Sequence, residues 1–131
     1  RIGSEREKFA YVWNAFLKGG VRLALSSDFA TSPFSPLVQL FDAVFRESPT
    51  GSYDGAWYPE QRISFDEALY AYTQIGADLS GWGKEIGSIT KGKWADFVIL
   101  DQRLNDPVGR ELKDTLVSST FFAGKEVYSK N

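Results

Sequence analysis

"LALSSDFATSPFSPL", residues 23–37, carries the decisive reading of this chain. An apolar run stops abruptly at Ser26-Ser27-Asp28 and passes into a turn rich in serine and proline. Taken back to Val21, residues 21–26 predict a short buried strand, bounded by Gly19-Gly20 before it and Ser-Asp after it. Arg22 is the one discordant residue. Parallel α/β folds carry their functional side chains at the C-terminal ends of strands and in the loops that follow. Asp28 falls at that position, where a carboxylate can bind a divalent metal or take a proton from water. Ser-Ser-Asp is equally an ordinary turn sequence, because all three side chains bond local backbone.

Working outward, residues 4–19 predict an amphipathic helix with Phe9, Val12, Trp13, Phe16 and Leu17 on one stripe. Ser4 and Glu7 have the spacing of a capping box, and Gly19-Gly20 is a stop signal suited to a left-handed cap. Downstream, Ser35-Pro36 predicts an N-cap followed by proline at the first helical position. Leu37, Leu40, Phe41, Val44 and Phe45 continue that helix to about Arg46-Glu47. Residues 48–62 read as a long loop, a length often associated with function. Ser64 and Glu67 form a second capping box, opening a third helix expected to reach about Ala77. Glycines 81, 83 and 87 then break the chain, and residues 94–100, 116–122 and 126–129 predict short strands joined by turns.

This order implies an α/β protein with a boundary near residues 84–88. A lone strand between helices cannot satisfy its own backbone N–H and C=O groups. The N-terminal segment therefore reads as a piece of a parallel α/β sheet whose other strands lie elsewhere.

Composition excludes several function classes. Across 131 residues, 43% are hydrophobic and 24% charged, ordinary for a globular domain with a real core. A net charge of −2 gives no electrostatic reason to expect nucleic acid or an anionic membrane as partner. No apolar run approaches the ~20 residues that span a bilayer. No signal segment is visible, so the expected compartment is the cytoplasm. The chain has no cysteine and no histidine. Thiolate or imidazole metal ligands and a Ser-His pair are therefore outside its chemistry.

Other candidates carry blander readings. Asp66 and Glu67 are adjacent on a helix and diverge. Asp96 fits a turn or strand edge. Gly87, Lys91 and Gly92 lack phosphate-loop spacing. Trp57 and Tyr58 suit either a pocket lining or simple packing, and Arg46 suits a partner for its helix C-terminus.

Five blocks together resemble the C-terminal part of the metal-dependent amidohydrolase superfamily, in its N-substituted formamide deformylase-like branch. They are "GGVRLALSSDFATSPFSPL" (19–37), "AVFR" (43–46), "ISFDEALYAYTQIGADL" (63–79), "EIGSITKGKWADFVILD" (85–101) and "TFFAGKEVY" (120–128). The resemblance implies that residues 1–85 are the end of a TIM barrel, with residues 21–26 as its last strand. Residues 86–131 would be C-terminal strands of a small composite β-sandwich. Asp28 would match the family's strand-end aspartate, which contacts the metal or its bound water and moves the proton during hydrolysis. The implied cofactor is a divalent metal, zinc first, held mainly by histidines that this chain lacks. The implied substrate is a small amide or cyclic amide. A TIM barrel takes about 250 residues, so the chain would be a C-terminal segment needing the remainder of the barrel, from the same parent chain or from a partner. It would be inactive alone. The alternative is a non-catalytic interaction piece that a partner chain completes.

Overall fold

The computed structural model describes residues 2–130. Its helices are α1 (Ser4–Glu7), α2 (Trp13–Lys18), α3 (Pro36–Phe45), α4 (Phe65–Tyr72) and α5 (Gln74–Leu79). Three strands follow, β1 (Phe97–Leu100), β2 (Val117–Phe122) and β3 (Lys125–Ser129). They pair antiparallel in the order β1-β2-β3. Short 3₁₀ turns occupy Pro59–Gln61 and Arg110–Asp114.

α3 is the centre of the packing. Ser35 and Pro36 take the expected N-cap and first helical positions, although the Ser35 side chain makes no capping bond. Leu40, Phe41 and Ala43 bury against Ile63, Ala68 of α4 and Leu112 of the second 3₁₀ turn. Leu37, Val44 and Phe45 flank this cluster. Leu112 has no helical period to announce it, yet it is fully buried. Burying a side chain of its size contributes about 1.5–3 kcal/mol.

The expected single helix over residues 4–19 is two helices. Between α1 and α2, Tyr11 sits at φ 52°, outside the helical range. Its carbonyl turns to accept from Arg46 Nη1 at 3.1 Å, a bond that a continuous helix would forbid. The capping box expected at Ser4 is absent. Gly3 is the N-cap without a side-chain bond, and Glu7 lies 3.4 Å from the Tyr58 hydroxyl instead. The C-terminal stop holds: Gly20 is left-handed at φ 77°. Gly20 N–H donates to Leu17 and Val21 N–H to Phe16, the paired bonds of a Schellman motif.

Residues 21–26 form no strand among the described residues. A strand needs a ladder, and beyond the Val21 N–H that closes the end of α2 this segment has only the Leu25 N–H donating to the Ala71 carbonyl of α4 at 3.2 Å. Arg22, discordant in an apolar run, reaches Asp78 of α5 at 2.8 Å.

The second capping box forms as expected. Ser64 Oγ accepts from the Glu67 N–H, and Glu67 Oε2 accepts from the Ser64 N–H at 2.7 Å. The bond from the Ser64 N–H, with a second from the Ser64 hydroxyl to the same Oε2 at 2.8 Å, holds the Glu67 carboxyl below the usual carboxylate range. The third helix then breaks at Thr73 (φ −118°, ψ −82°) and resumes as α5. Gly87 packs into this break. At φ 92°, its α-carbon faces the junction so closely that a Cβ would lie 2.7 Å from Ala77 Cβ and 3.1 Å from Gln74 Cα.

β1 begins three residues later than expected. Trp94 N–H is spent on the Glu85 carbonyl and Asp96 N–H on that of Trp94, while the Ala95 carbonyl accepts from Gly124 in the hairpin turn. Asp96 accepts from the Ala123 N–H at 2.7 Å and so fixes the β2–β3 turn. Ala123 and Gly124 both have positive φ, the signature of a type I′ hairpin. Phe97 and Phe121 are register partners, with rings stacked 4.5 Å apart. Among the described residues, no helix is long and apolar enough to cross a membrane.

Gly87→Ala places a methyl against Ala77 and forces a left-handed residue. Urea denaturation is expected to show a loss of about 2–4 kcal/mol. Gly92→Ala, at φ 96° with open space around it, carries only the backbone cost, about 1 kcal/mol.

Candidate functional site

The Asp28 turn is built from local chemistry. Asp28 adopts φ 49°, a conformation that Asp and Asn tolerate better than most residues. The Thr31 N–H donates to the Asp28 carbonyl at 2.9 Å, closing a turn. The Thr31 hydroxyl lies within reach of both that carbonyl and Asp28 Oδ2, the latter at 3.1 Å. The carboxylate is thereby fixed relative to its own backbone while remaining exposed. Phe29 follows Asp28 in the chain and packs its ring on that of Phe34, with centroids 5.4 Å apart and planes at 81°.

Among the described residues, no three His, Cys, Asp or Glu side chains gather into a group that could hold a metal ion. Asp28 is a single donor group on an exposed turn, and tightly held divalent metals need several ligands. The donor set of this chain by itself does not fit a metal. A single anchored carboxylate can still accept a proton from water and return it to a leaving group.

The second concentration of polar groups lies at the end of α3. Arg46 is a left-handed C-cap and only 4% exposed. Its guanidinium lies 4.8 Å from the Trp13 ring and 4.8 Å from the Trp57 ring. Nε donates to the Trp57 carbonyl at 3.0 Å and Nη1 to that of Tyr11. Nη2 is buried without a partner, a cost of about 1–3 kcal/mol that two desolvated cation–π contacts offset. Arg46 is thus not the partner of its own helix C-terminus. The carbonyls there are taken by the returning chain: Ile63 N–H to Ala43, Arg62 Nε to Phe45, and Trp57 N–H to Arg46. Trp57 and Tyr58 therefore pack down, edge to face at 5.0 Å. Glu47 closes the base of the loop, taking Arg110 through both oxygens at 2.9 and 2.8 Å. That pairing holds Glu47 below the ordinary carboxylate range and Arg110 above its own.

Asp42, one helical turn before Arg46, was not singled out in the sequence. Burial raises its pKa to about 6 against the opposing pull of Arg46. Burial of Tyr72, and after it the Asp42 charge, raises the Tyr72 hydroxyl to about 12. A polar residue between Phe41 and Ala43 was the only available signal. The remaining candidates are structural: Asp66 lies in the first turn of α4, Asp96 holds a turn, and Gly87 packs on a helix junction.

The profile of the amidohydrolase family matches residues 1–128. Protein LONG AFTER FAR-RED 3 of Arabidopsis thaliana is 36% identical over 129 residues, which is 98% of this chain and 22% of that protein. An N-substituted formamide deformylase of Arthrobacter pascens is 35% identical over 116 residues, 88% of this chain and 21% of the relative. A solved amidohydrolase from Thermotoga maritima MSB8 superposes with a TM-score of 0.63 at 25% identity, covering 92% of this chain and 26% of that one. The chain belongs to the amidohydrolase family. It spans about a fifth of the length of these two curated relatives.

Two substitutions test the α3 terminus. Arg46→Lys keeps the charge but loses the planar fork that meets two carbonyls between two indoles. A loss of about 1–3 kcal/mol in chemical denaturation is expected. Asp42→Asn tests the burial of a carboxyl whose pKa is higher in the folded chain than in the unfolded one. Its contribution is full below about pH 4 and is lost as pH rises through about 6. The variant should therefore match the wild type near pH 4 and exceed it by on the order of 1–3 kcal/mol at pH 8.

Proposed function

We propose that this chain is the C-terminal segment of a longer amidohydrolase that cleaves a non-peptide C–N bond in a small amide. The family match along nearly the whole chain carries the reading, with Asp28 standing at the exit of residues 21–26 in the matched region. In this reading, residues 21–26 are the last strand of the barrel and gain their ladder from strands supplied by the rest of the protein. The nearly unbonded backbone of that segment supports the assignment. So does the open groove of about 1060 Å³ between α4 and the sheet, floored by Phe97 and Phe121 and walled by Leu69, Tyr70 and Ile86. Apolar surface of that extent on a lone chain points to a covering element. Residues 1–85 then close the barrel, and residues 86–131 contribute strands to a composite sandwich.

Asp28 is the proton-transfer group. Its carboxylate takes a proton from the attacking water as the new C–O bond forms. It returns that proton to the nitrogen as the C–N bond breaks. A divalent metal, zinc first, would supply a more acidic water in the complete enzyme, with its principal ligands outside this chain. The name of the Arthrobacter relative supports a formamide-type substrate.

The test is Asp28→Asn in the whole protein. Asparagine keeps the left-handed turn and the Thr31 contact, so the melting temperature should stay within about 2 °C. Amide turnover should fall about 10²–10⁴-fold. Unchanged turnover would remove Asp28 from the chemistry.

A further inference from the structure

We propose that Gln74, the first residue of α5, is a positioning residue that sets where residues 21–26, and the Asp28 turn beyond them, stand against the rest of the chain. Its bearing on catalysis rests on the assignment of Asp28 as the proton-transfer group.

The Gln74 side chain lies half-buried between two opposite charges from distant segments. Its Oε1 accepts from Lys93 Nζ at 2.8 Å, and its Nε2 donates to Asp78 Oδ1 at 2.7 Å. An ammonium can only donate and a carboxylate can only accept. An amide, with an acceptor and a donor group on one rigid plane, meets both at once, and the two charges fix which way round it lies. The outer bonds complete a line. Lys93 Nζ also donates to the Ile86 carbonyl at 2.9 Å, and Asp78 Oδ2 accepts from Arg22 at 2.8 Å. Lys93, Gln74, Asp78 and Arg22 thus run from the turn before the sheet to the segment before Asp28. Gly83 fits this line closely. Its carbonyl accepts from Gln74 Nε2 at 3.2 Å, and a Cβ there would overlap the Asp78 carboxylate.

The Arg22 side chain is 56% exposed, and an exposed ion pair between two swinging side chains holds little. Here one oxygen of Asp78 is held by Gln74, so the other meets Arg22 from a fixed place. The Leu25 N–H bond to the Ala71 carbonyl is the second anchor, so residues 21–26 are tied to both α4 and α5. Seven helical residues rise about 10.5 Å and three extended residues span about 10 Å. The pairs 25–71 and 22–78 therefore match in spacing where α5 continues on from α4 across the break at Thr73. Gln74 stands at that break and ties it to Lys93. Asp28 follows Leu25 by three residues, and beyond it Gln39 of α3 reaches the Pro33 carbonyl at 3.3 Å.

The experiment follows hydrogen exchange by mass spectrometry in the whole protein, for peptides covering residues 21–31 and, as reference, 36–45. Gln74→Met keeps the length and removes both polar partners. It and Lys93→Met should each speed exchange in 21–31 about tenfold or more, with 36–45 changing less than threefold. Gln74→Glu sets a second carboxylate against Asp78 and should do the same. Combined with Asp78→Asn, it regains a donor between the two positions and keeps an acceptor for Arg22, so exchange should return to within about threefold of wild type. No rise in 21–31, an equal rise in both regions, or no recovery in the combined variant overturns the proposal. Turnover of N-methylformamide reads the bearing on catalysis. Gln74→Met should lower kcat about tenfold or more with KM changing less than threefold, and the combined variant should restore it. An unchanged kcat overturns that bearing. Asp28→Asn separates the two assignments, because it should abolish turnover and leave exchange in 21–31 as in wild type. Persistent turnover in that variant removes the role of Asp28, and the exchange result still decides Gln74. Exchange alone decides if the wild type does not turn over this probe.

Discussion

The Arg46 guanidinium, clamped between the Trp13 and Trp57 rings, holds together the parts of this chain that sequence distance keeps apart. One side chain joins the start of α2, the end of α3 and the loop that returns from residue 57. Its demands propagate outward. Tyr11 must leave the helical region so that its carbonyl can face Nη1, and this divides the N-terminal helix. Trp57 must come back to the end of α3, and this gives the helix carbonyls their partners. Arg62 and Arg110 then meet Glu47, and the second 3₁₀ turn is drawn onto α3 with Leu112 beneath it. Arginine suits this position because its plane stacks on both indoles while its edge still donates.

The exposed turn at Asp28 is a different kind of construction. It depends on almost nothing outside residues 28–34: a left-handed aspartate, a threonine three residues on, and two phenylalanines. Most of its hydrogen bonds are local, with Gln39 of α3 reaching the Pro33 carbonyl at 3.3 Å. That independence fits the proton-transfer role proposed for Asp28. The two kinds of order, a cooperative clamp at the end of α3 and a self-contained turn before its start, lie on either side of the same ten-residue helix.

Local signals were legible where the physics was local. Gly20 ends α2, Ser64 and Glu67 cap α4, Pro36 starts α3, and Ala123-Gly124 turns the hairpin; each is a bond or a dihedral decided within a few residues. The readings that differed all depended on a distant partner. The periodic stripe of residues 4–19 was real, but periodicity cannot register a carbonyl recruited from 35 residues away. The helix over residues 65–77 broke where Gly87 packs into it, and nothing between those residues announces that contact. The apolar run at 21–26 has strand composition, yet a strand exists only with neighbours to bond. Arg22 looked misplaced until Asp78 was beside it.

By itself, the sequence determined that a capped amphipathic helix follows Ser35-Pro36, that the chain resembles the amidohydrolases, and that Asp28 directly follows the apolar run of residues 21–26. It also determined that no histidine or thiolate of its own can hold a metal. Only the tertiary structure decided that Arg46 is a buried clamp, that burial raises the Asp42 carboxyl to a pKa of about 6, and that the Phe29 and Phe34 rings pack edge to face. The division has one physical cause. Propensity, capping and chirality act over a few residues and are written in order along the chain, whereas desolvation and ring geometry exist only after distant groups are brought together.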